Sequence, residues 1–148
     1  ALLNENSVIF VDSIGIGKGV YDRLREVGQR VFSIDVRRSP KAVERFMRLR
    51  DELWWNLRTQ FEKGIISIPR NKELIDQLAA IKYKPQSDGK IKVEGKDEMR
   101  KRGFGSPDEA DSLCLSFAMN DSIFRKREEA GRYKKRREIE NESSWMTA

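Results

Sequence analysis

Histidine is absent from the 148 residues, and cysteine occurs once, at Cys114. These gaps exclude disulfides within the chain, Cys/His zinc sites, and every mechanism in which histidine is the general base for a nucleophile. No apolar run approaches the roughly 20 residues that cross a bilayer. No signal peptide is visible, so an intracellular chain is expected. Chemistry must then rest on carboxylates, lysines, hydroxyls or a bound ion. What the chain does have is charge: 36% of residues are Asp, Glu, Lys or Arg, against 38% apolar. That balance describes a soluble protein with a heavily charged surface, and a length of 148 residues is the size of one domain, expected here as one compact unit plus a tail. The surplus of +6 favours an anionic partner and by itself is a weak hint.

Val8-Ile9-Phe10-Val11 is a continuous apolar run, as in a strand buried on both faces of a parallel sheet, and Asp12 ends it. Gly15-Ile16-Gly17-Lys18-Gly19 follows, then a helix with Val20, Leu24 and Val27 on one side, stopped by Gly28. Val31 to Ile34 reads as a second strand, completing a right-handed βαβ unit. Pro40 opens a helical stripe from Val43 through Phe46, Leu53, Trp54 and Leu57 to Phe61, ending at Gly64. This stripe is core packing. Ile65 to Ile68 reads as a short strand, and Asn71 as the cap of a helix bearing Leu74, Ile75 and Leu78. Ile81 to Lys84 and Ile91 to Glu94 alternate around Asp88-Gly89, which predicts a hairpin. Ser106-Pro107-Asp108-Glu109 predicts a helix start with Ser106 as N-cap and Glu109 completing a capping box. Beyond Phe124 the chain turns almost wholly charged, so residues 125–148 are expected as a solvated helix or tail after a domain over 1–124.

Two places could carry chemistry. Asp12 lies at the carboxyl end of a strand, where open α/β sheets gather their ligands, though capping the following turn explains it equally well. The glycine loop is no nucleotide signature: Gly-x-Gly-x-Gly lacks the third glycine of the dinucleotide fingerprint, and Lys18 precedes Gly19 rather than Ser or Thr. Asp108 suits a first helical turn on dipole grounds alone. Asp111, four residues before Leu115 and seven before Ala118, lies on the helix face expected to point inward, where a carboxylate needs a cation or donors beside it. A strand-end aspartate and this pair could hold Mg²⁺ or Mn²⁺, and two such ions about 4 Å apart would hydrolyse a phosphodiester without histidine.

Val11-Asp12-Ser13-Ile14-Gly15-Ile16-Gly17 with Asp22 and Leu24, Phe61-Glu62-Lys63-Gly64, Ile68-Pro69, and above all Arg102-Gly103 with Ser106-Pro107-Asp108-Glu109-Ala110-Asp111-Ser112-Leu113 resemble the nuclease domain of phage and prophage terminase large subunits. The resemblance runs over roughly residues 8–120. It implies a ribonuclease H-like fold, a central mixed sheet flanked by helices, and a metal-dependent endonuclease that cuts concatemeric double-stranded DNA in the host cytoplasm. By it Asp12 matches the acid of the second acid-bearing strand and Asp111 the helix acid, with Asp108 beside it. It also implies an ATPase domain of the same large subunit, a small terminase subunit and a portal as partners. The family's first acid sits on an N-terminal hairpin strand that has no counterpart after Ala1: either the sequence is a fragment of a longer polypeptide, which is the expectation, or the domain is degenerate and its carboxylate cluster incomplete.

The hairpin's two-residue period would put Lys82, Lys84, Lys90 and Lys92 on one side. With Lys96, Arg100, Lys101 and Arg102 they would form a basic rim towards Asp108 and Asp111, a phosphate track or an ordinary solvated face. The competing function is a non-catalytic DNA-binding and docking module of the packaging motor.

Overall fold

The structure, a computed structural model, describes residues 7–118. The chain divides after Ser116 into two units, and the fold below is that of the first. The charged segment after Phe124 lies outside the described residues. No helix among the described residues is long and apolar enough to cross a membrane.

The apolar run forms β1 (Ile9–Asp12), which pairs in parallel with β2 (Val31–Ile34) across α1 (Gly17–Glu26), in register Ile9↔Val31 to Asp12↔Ile34. Phe10 and Phe32 stack across this pair at 5.7 Å. Gly28 takes a φ of 77°, and the Gln29 N–H returns to the Leu24 carbonyl, so the glycine stop is as read from the sequence. The apolar side of α1 is not core: none of its residues is buried.

The next helix is shorter than its periodicity predicts. Instead of starting at Pro40, α2 spans Leu49–Glu62. Residues 45–47 run alongside Ile91 instead, whose N–H donates to the Arg45 carbonyl and whose carbonyl accepts from Met47 N–H. Asp51 accepts the Arg48 N–H at 2.9 Å, which caps the helix there. Glu52 takes the Lys41 and Ala42 N–H groups at 2.7 and 3.3 Å, holding the preceding loop in a non-helical path. Apolar spacing was blind to this because Phe46 and Leu49 are buried either way.

Residues 65–68 form no strand, and Ile65 is 68% exposed. Asn71 caps α3 (Lys72–Ala80), its side-chain Oδ1 accepting from Glu73 and Leu74 N–H. The hairpin is present with short strands, β3 (Tyr83–Pro85) antiparallel to β4 (Ile91–Val93), and Gly89 in its turn has a φ of 81°. After α4 (Lys96–Lys101), α5 (Asp108–Ser116) packs on α3, β1 and α2. Its expected capping box is replaced: Ser106 donates to the Asp108 carboxylate, and Glu109 accepts from Asn71 of α3.

A mixed α/β fold is therefore present, but the expected continuous central sheet is two separate two-stranded sheets among the described residues. The core gathers Ile34, Leu53, Leu57, Leu74, Val93, Met99, Ala110 and Cys114. Three carboxylates are buried with it, Asp51, Glu52 and Glu94. Burying a charge is tolerated only with hydrogen-bond partners. Each acid has them in backbone amides: Val93 N–H donates to Asp51, and Lys82 N–H to Glu94.

Candidate active-site cleft

The loop after β1 sets the position of Asp12. Its Oδ1 accepts the Ile14 N–H at 3.1 Å, so Asp12 does cap the turn that follows it. The same turn brings α1 so close to the strand end that a Cβ on Gly17 would lie 1.7 Å from the Asp12 carbonyl oxygen. Asp12 faces a cleft of about 570 Å³ that also takes in Asp108 and Asp111, so β1 and α5 bring all three proposed acids to one cavity. Its lining also includes Arg50 and Trp54 of α2, Lys96 at the start of α4 and Ser112 of α5.

Asp111 is held from two directions. The indole Nε1 of Trp54 donates to its Oδ1 at 3.1 Å and an Arg50 guanidinium nitrogen lies 3.4 Å from the same oxygen, while Lys96 Nζ is 3.8 Å from Oδ2. The fully buried face of α5 runs through Ala110 and Cys114, one residue earlier than the spacing to Leu115 suggested. Asp111 therefore sits at the rim of the buried face, 25% exposed, with donors that offset its desolvation. Arg50 is itself fixed, its other guanidinium nitrogen donating to the Glu94 carbonyl at 2.9 Å.

Asp108 is mostly exposed, and its Oδ1 accepts from Lys96 Nζ at 2.8 Å and Ser106 Oγ at 2.6 Å. The Lys96 ammonium, followed by the Ser106 hydroxyl, holds the Asp108 carboxyl below the usual aspartate range. Burial, followed by the Asp111 charge, pushes the Cys114 thiol up. Among the described residues no three acids or cysteines lie close enough together to hold one metal ion. Lys96 Nζ instead lies between Asp108 and Asp111, supplying the positive charge that two neighbouring carboxylates require.

The basic residues expected as a rim have separate placements. Lys84 and Lys92 are cross-strand neighbours, Lys90 lies 3.8 Å from Asp88, and Lys92 lies 4.0 Å from Glu98. Lys82 and Lys101 are exposed, and Arg100 pairs with Asp97. Arg102 turns inward to the buried Glu94 and the Ala80 carbonyl, tying α3 to β4, and so is not a rim cation. Lys96 belongs to the acid cleft.

Sequence reading missed Arg50 and placed Trp54 in an inert core stripe. One signal was available for Trp54, since a buried indole N–H needs an acceptor. For Arg50 it was absent, because its partner stands 61 residues away.

No protein-family model matches the chain. A search of curated proteins returns no match. Among solved structures, the backbone is similar to the nuclease domain of the large terminase subunit gp2 of bacterial virus Sf6, a mutant form with manganese. The TM-score is 0.61 at 20% identity, over 73% of this chain and 64% of that one. The unsubstituted Sf6 domain gives 0.55 at 21% identity, covering 73% and 63%. The large terminase nuclease from thermophilic phage G20c with bound magnesium gives 0.55 at 22% identity, covering 76% of this chain and 52% of that one. This chain thus has the fold of these nuclease domains and spans about 64% of the first one's length.

Proposed function

We propose that this chain, having the fold of terminase nuclease domains, is a metal-dependent endonuclease unit of a phage or prophage packaging terminase, acting on double-stranded DNA. The observation that carries the reading is that Asp12, from the end of β1, lines the same cleft as Asp108 and Asp111 of α5. The reading includes a ribonuclease H-like architecture, action in the host cytoplasm, and work beside an ATPase domain, a small terminase subunit and a portal.

The donor set fits a hard divalent cation in kind, since carboxylate oxygens are what Mg²⁺ and Mn²⁺ take. The ammonium bridging Asp108 and Asp111 marks where positive charge is favoured. Asp12 and Asp111 are the ligands we assign, with Asp108 adjacent, and a second ion would draw on further acids. When bound, the metal would supply Lewis acidity for activating water and for charge on the phosphodiester oxygens. This chain's own residues provide orientation. Trp54 and Arg50 both engage Oδ1 of Asp111, which leaves Oδ2 towards Lys96 and the open cleft. Lys96 balances the acids and can meet a phosphate oxygen. Lys82, Lys84, Lys90 and Lys92 on the hairpin would add non-specific phosphate affinity.

The test is nicking of plasmid DNA with Mn²⁺, in the longest natural polypeptide containing this sequence and in this chain beside it. Asp111→Asn and Asp12→Asn should remove cutting while leaving the circular dichroism spectrum intact, and Asp108→Asn should reduce it partially. Trp54→Phe, which deletes the N–H that orients Asp111 together with part of a buried ring, should cost roughly 10–100-fold, the range for partners behind a metal ligand, with urea unfolding measuring the packing loss separately. Equal cutting by Asp111→Asn would refute the site. A longer protein that never cuts with any divalent metal would leave the non-catalytic docking module as the function.

A further inference from the structure

On another side of α2 lies a second cavity, of about 380 Å³, sharing only Trp54 with the acid cleft. Its floor is apolar, made by Leu57, Leu78, Ile81 and Val93. Its edge alternates π faces with cations. Trp55 meets Tyr83 edge-on at 5.1 Å, Arg58 lies over both rings at 4.6 and 5.3 Å, and Arg45, beside the cavity rather than in its lining, lies 5.1 Å over Trp55, while Glu62 also lines the cavity. Tyr83 is 48% exposed and Arg45 and Lys82 are exposed as well. Arg58 shares its charge with Glu62, whereas Arg45 makes no ion pair among the described residues.

Holding the hairpin against α2 would need the apolar floor and one ring pair. It does not call for cations kept at the solvent edge of those rings. Planar rings and guanidinium planes beside an apolar recess, with positive charge around the mouth, are the features that bind unstacked bases: the π surfaces take the base and the cations take the flanking phosphates. An acidic peptide would satisfy the cations and leave the ring faces unused. The size suits one small planar group, at the lower end for ligand pockets.

We propose that the groove between α2 and the β3–β4 hairpin is a binding site for a base of single-stranded nucleic acid, stacked on Tyr83 and the Arg58 guanidinium with phosphates on Arg45 and Lys82. This site is separate from the acid cleft and does not rest on the nuclease reading. It would let the unit hold a frayed or unpaired strand while duplex is engaged elsewhere.

The experiment measures fluorescence anisotropy of a labelled oligothymidine and of an abasic oligomer of equal length, in EDTA. The two probes carry the same phosphates, so their difference reports the base alone. The chain should bind oligothymidine roughly five-fold or more tighter than the abasic probe, given the usual strength of base–aromatic stacking. Tyr83→Ala should erase that preference, Tyr83→Phe should keep it, and Arg45→Ser should weaken both probes together. Circular dichroism confirms that the variants fold, which exposure of Tyr83 and Arg45 favours. Asp111→Asn should leave the preference unchanged, so failure of the nuclease assignment and failure of this one are told apart. Equal affinity for the two probes, or a preference that survives Tyr83→Ala, would overturn the proposal. A groove variant that dissociates a dimer in sedimentation without altering the preference would likewise overturn it and give the groove to a second copy of the chain.

Discussion

Gly17 and Gly19 stand two residues apart in α1, and adding one methyl group to each should have opposite effects. At Gly17 the new Cβ would lie 1.7 Å from the Asp12 carbonyl oxygen and 2.9 Å from its carbon, with a Val11 methyl at 3.6 Å. Both close atoms are backbone, so no rotamer change relieves the overlap. Either the first turn of α1 or the end of β1 must retreat by at least about 1.3 Å, and overpacking of this kind costs about 1–3 kcal/mol. With a urea slope of about 2 kcal/mol/M for a small domain, Gly17→Ala should lower the unfolding midpoint by about 1 M. At Gly19 a Cβ meets nothing within 4 Å. There the helix gains alanine's lower backbone entropy cost, and Gly19→Ala should raise stability by about 0.5–1 kcal/mol. The measurement is urea unfolding followed by circular dichroism at 222 nm. A Gly17→Ala midpoint equal to that of the parent would show that the strand end and the helix are not in the contact described. Equal losses at both positions would mean that glycine is needed for flexibility rather than for space.

Glu94→Ala should destabilise the fold by about 3 kcal/mol, because it strands the Arg102 guanidinium and the Lys82 amide that the buried carboxylate now accepts. Glu94→Gln, which keeps an acceptor, should lose less in the same urea assay. Cys114 is buried and its thiol is pushed up, first by desolvation and then by Asp111. It should resist a thiol reagent at pH 8 until urea unfolds the chain, and fast labelling of the folded protein would show that α5 does not pack as described. The Glu98 carboxyl should titrate below the ordinary glutamate value by NMR, first because Gly95 N–H donates to it and then because of Lys92, Lys84 and Lys101. A depressed folded value means its contribution is present above the unfolded pKa and lost as pH falls through the folded one. With 38% exposure that contribution is small. Added salt should raise the midpoint by screening the lysines, while the Gly95 hydrogen bond keeps part of the shift.

Local features were legible in the sequence and tertiary contacts were not. The βαβ unit, the Gly28 stop, the Asn71 cap and the Asp88-Gly89 hairpin each depend on a few adjacent residues, and each is found. The start of α2 was misread because a bridge to Ile91 and two carboxylate caps override a good amphipathic pattern. The capping box of α5 fails for a related reason: Glu109 has a better donor in Asn71, 38 residues away. Of the cleft, the acids could be nominated by their positions on a strand end and a helix start. Lys96 was read as part of a basic rim leading towards Asp108 and Asp111, but nothing in its spacing announces that its ammonium lies between the two carboxylates.

The buried acids have a consequence for how the molecule opens. The amides of Lys41, Lys82 and Val93 end on side-chain carboxylates of Glu52, Glu94 and Asp51. Two of those acceptors, Asp51 and Glu52, belong to the first turn of α2. Solvent hydrogen can reach the Lys41 and Val93 amides only when that turn moves away. Loop 40–48, α2 and the hairpin should therefore exchange as one cooperative block, with protection that a pair of three-residue strands would not provide alone. In native-state hydrogen exchange, the short hairpin should look as durable as the helix that grips it.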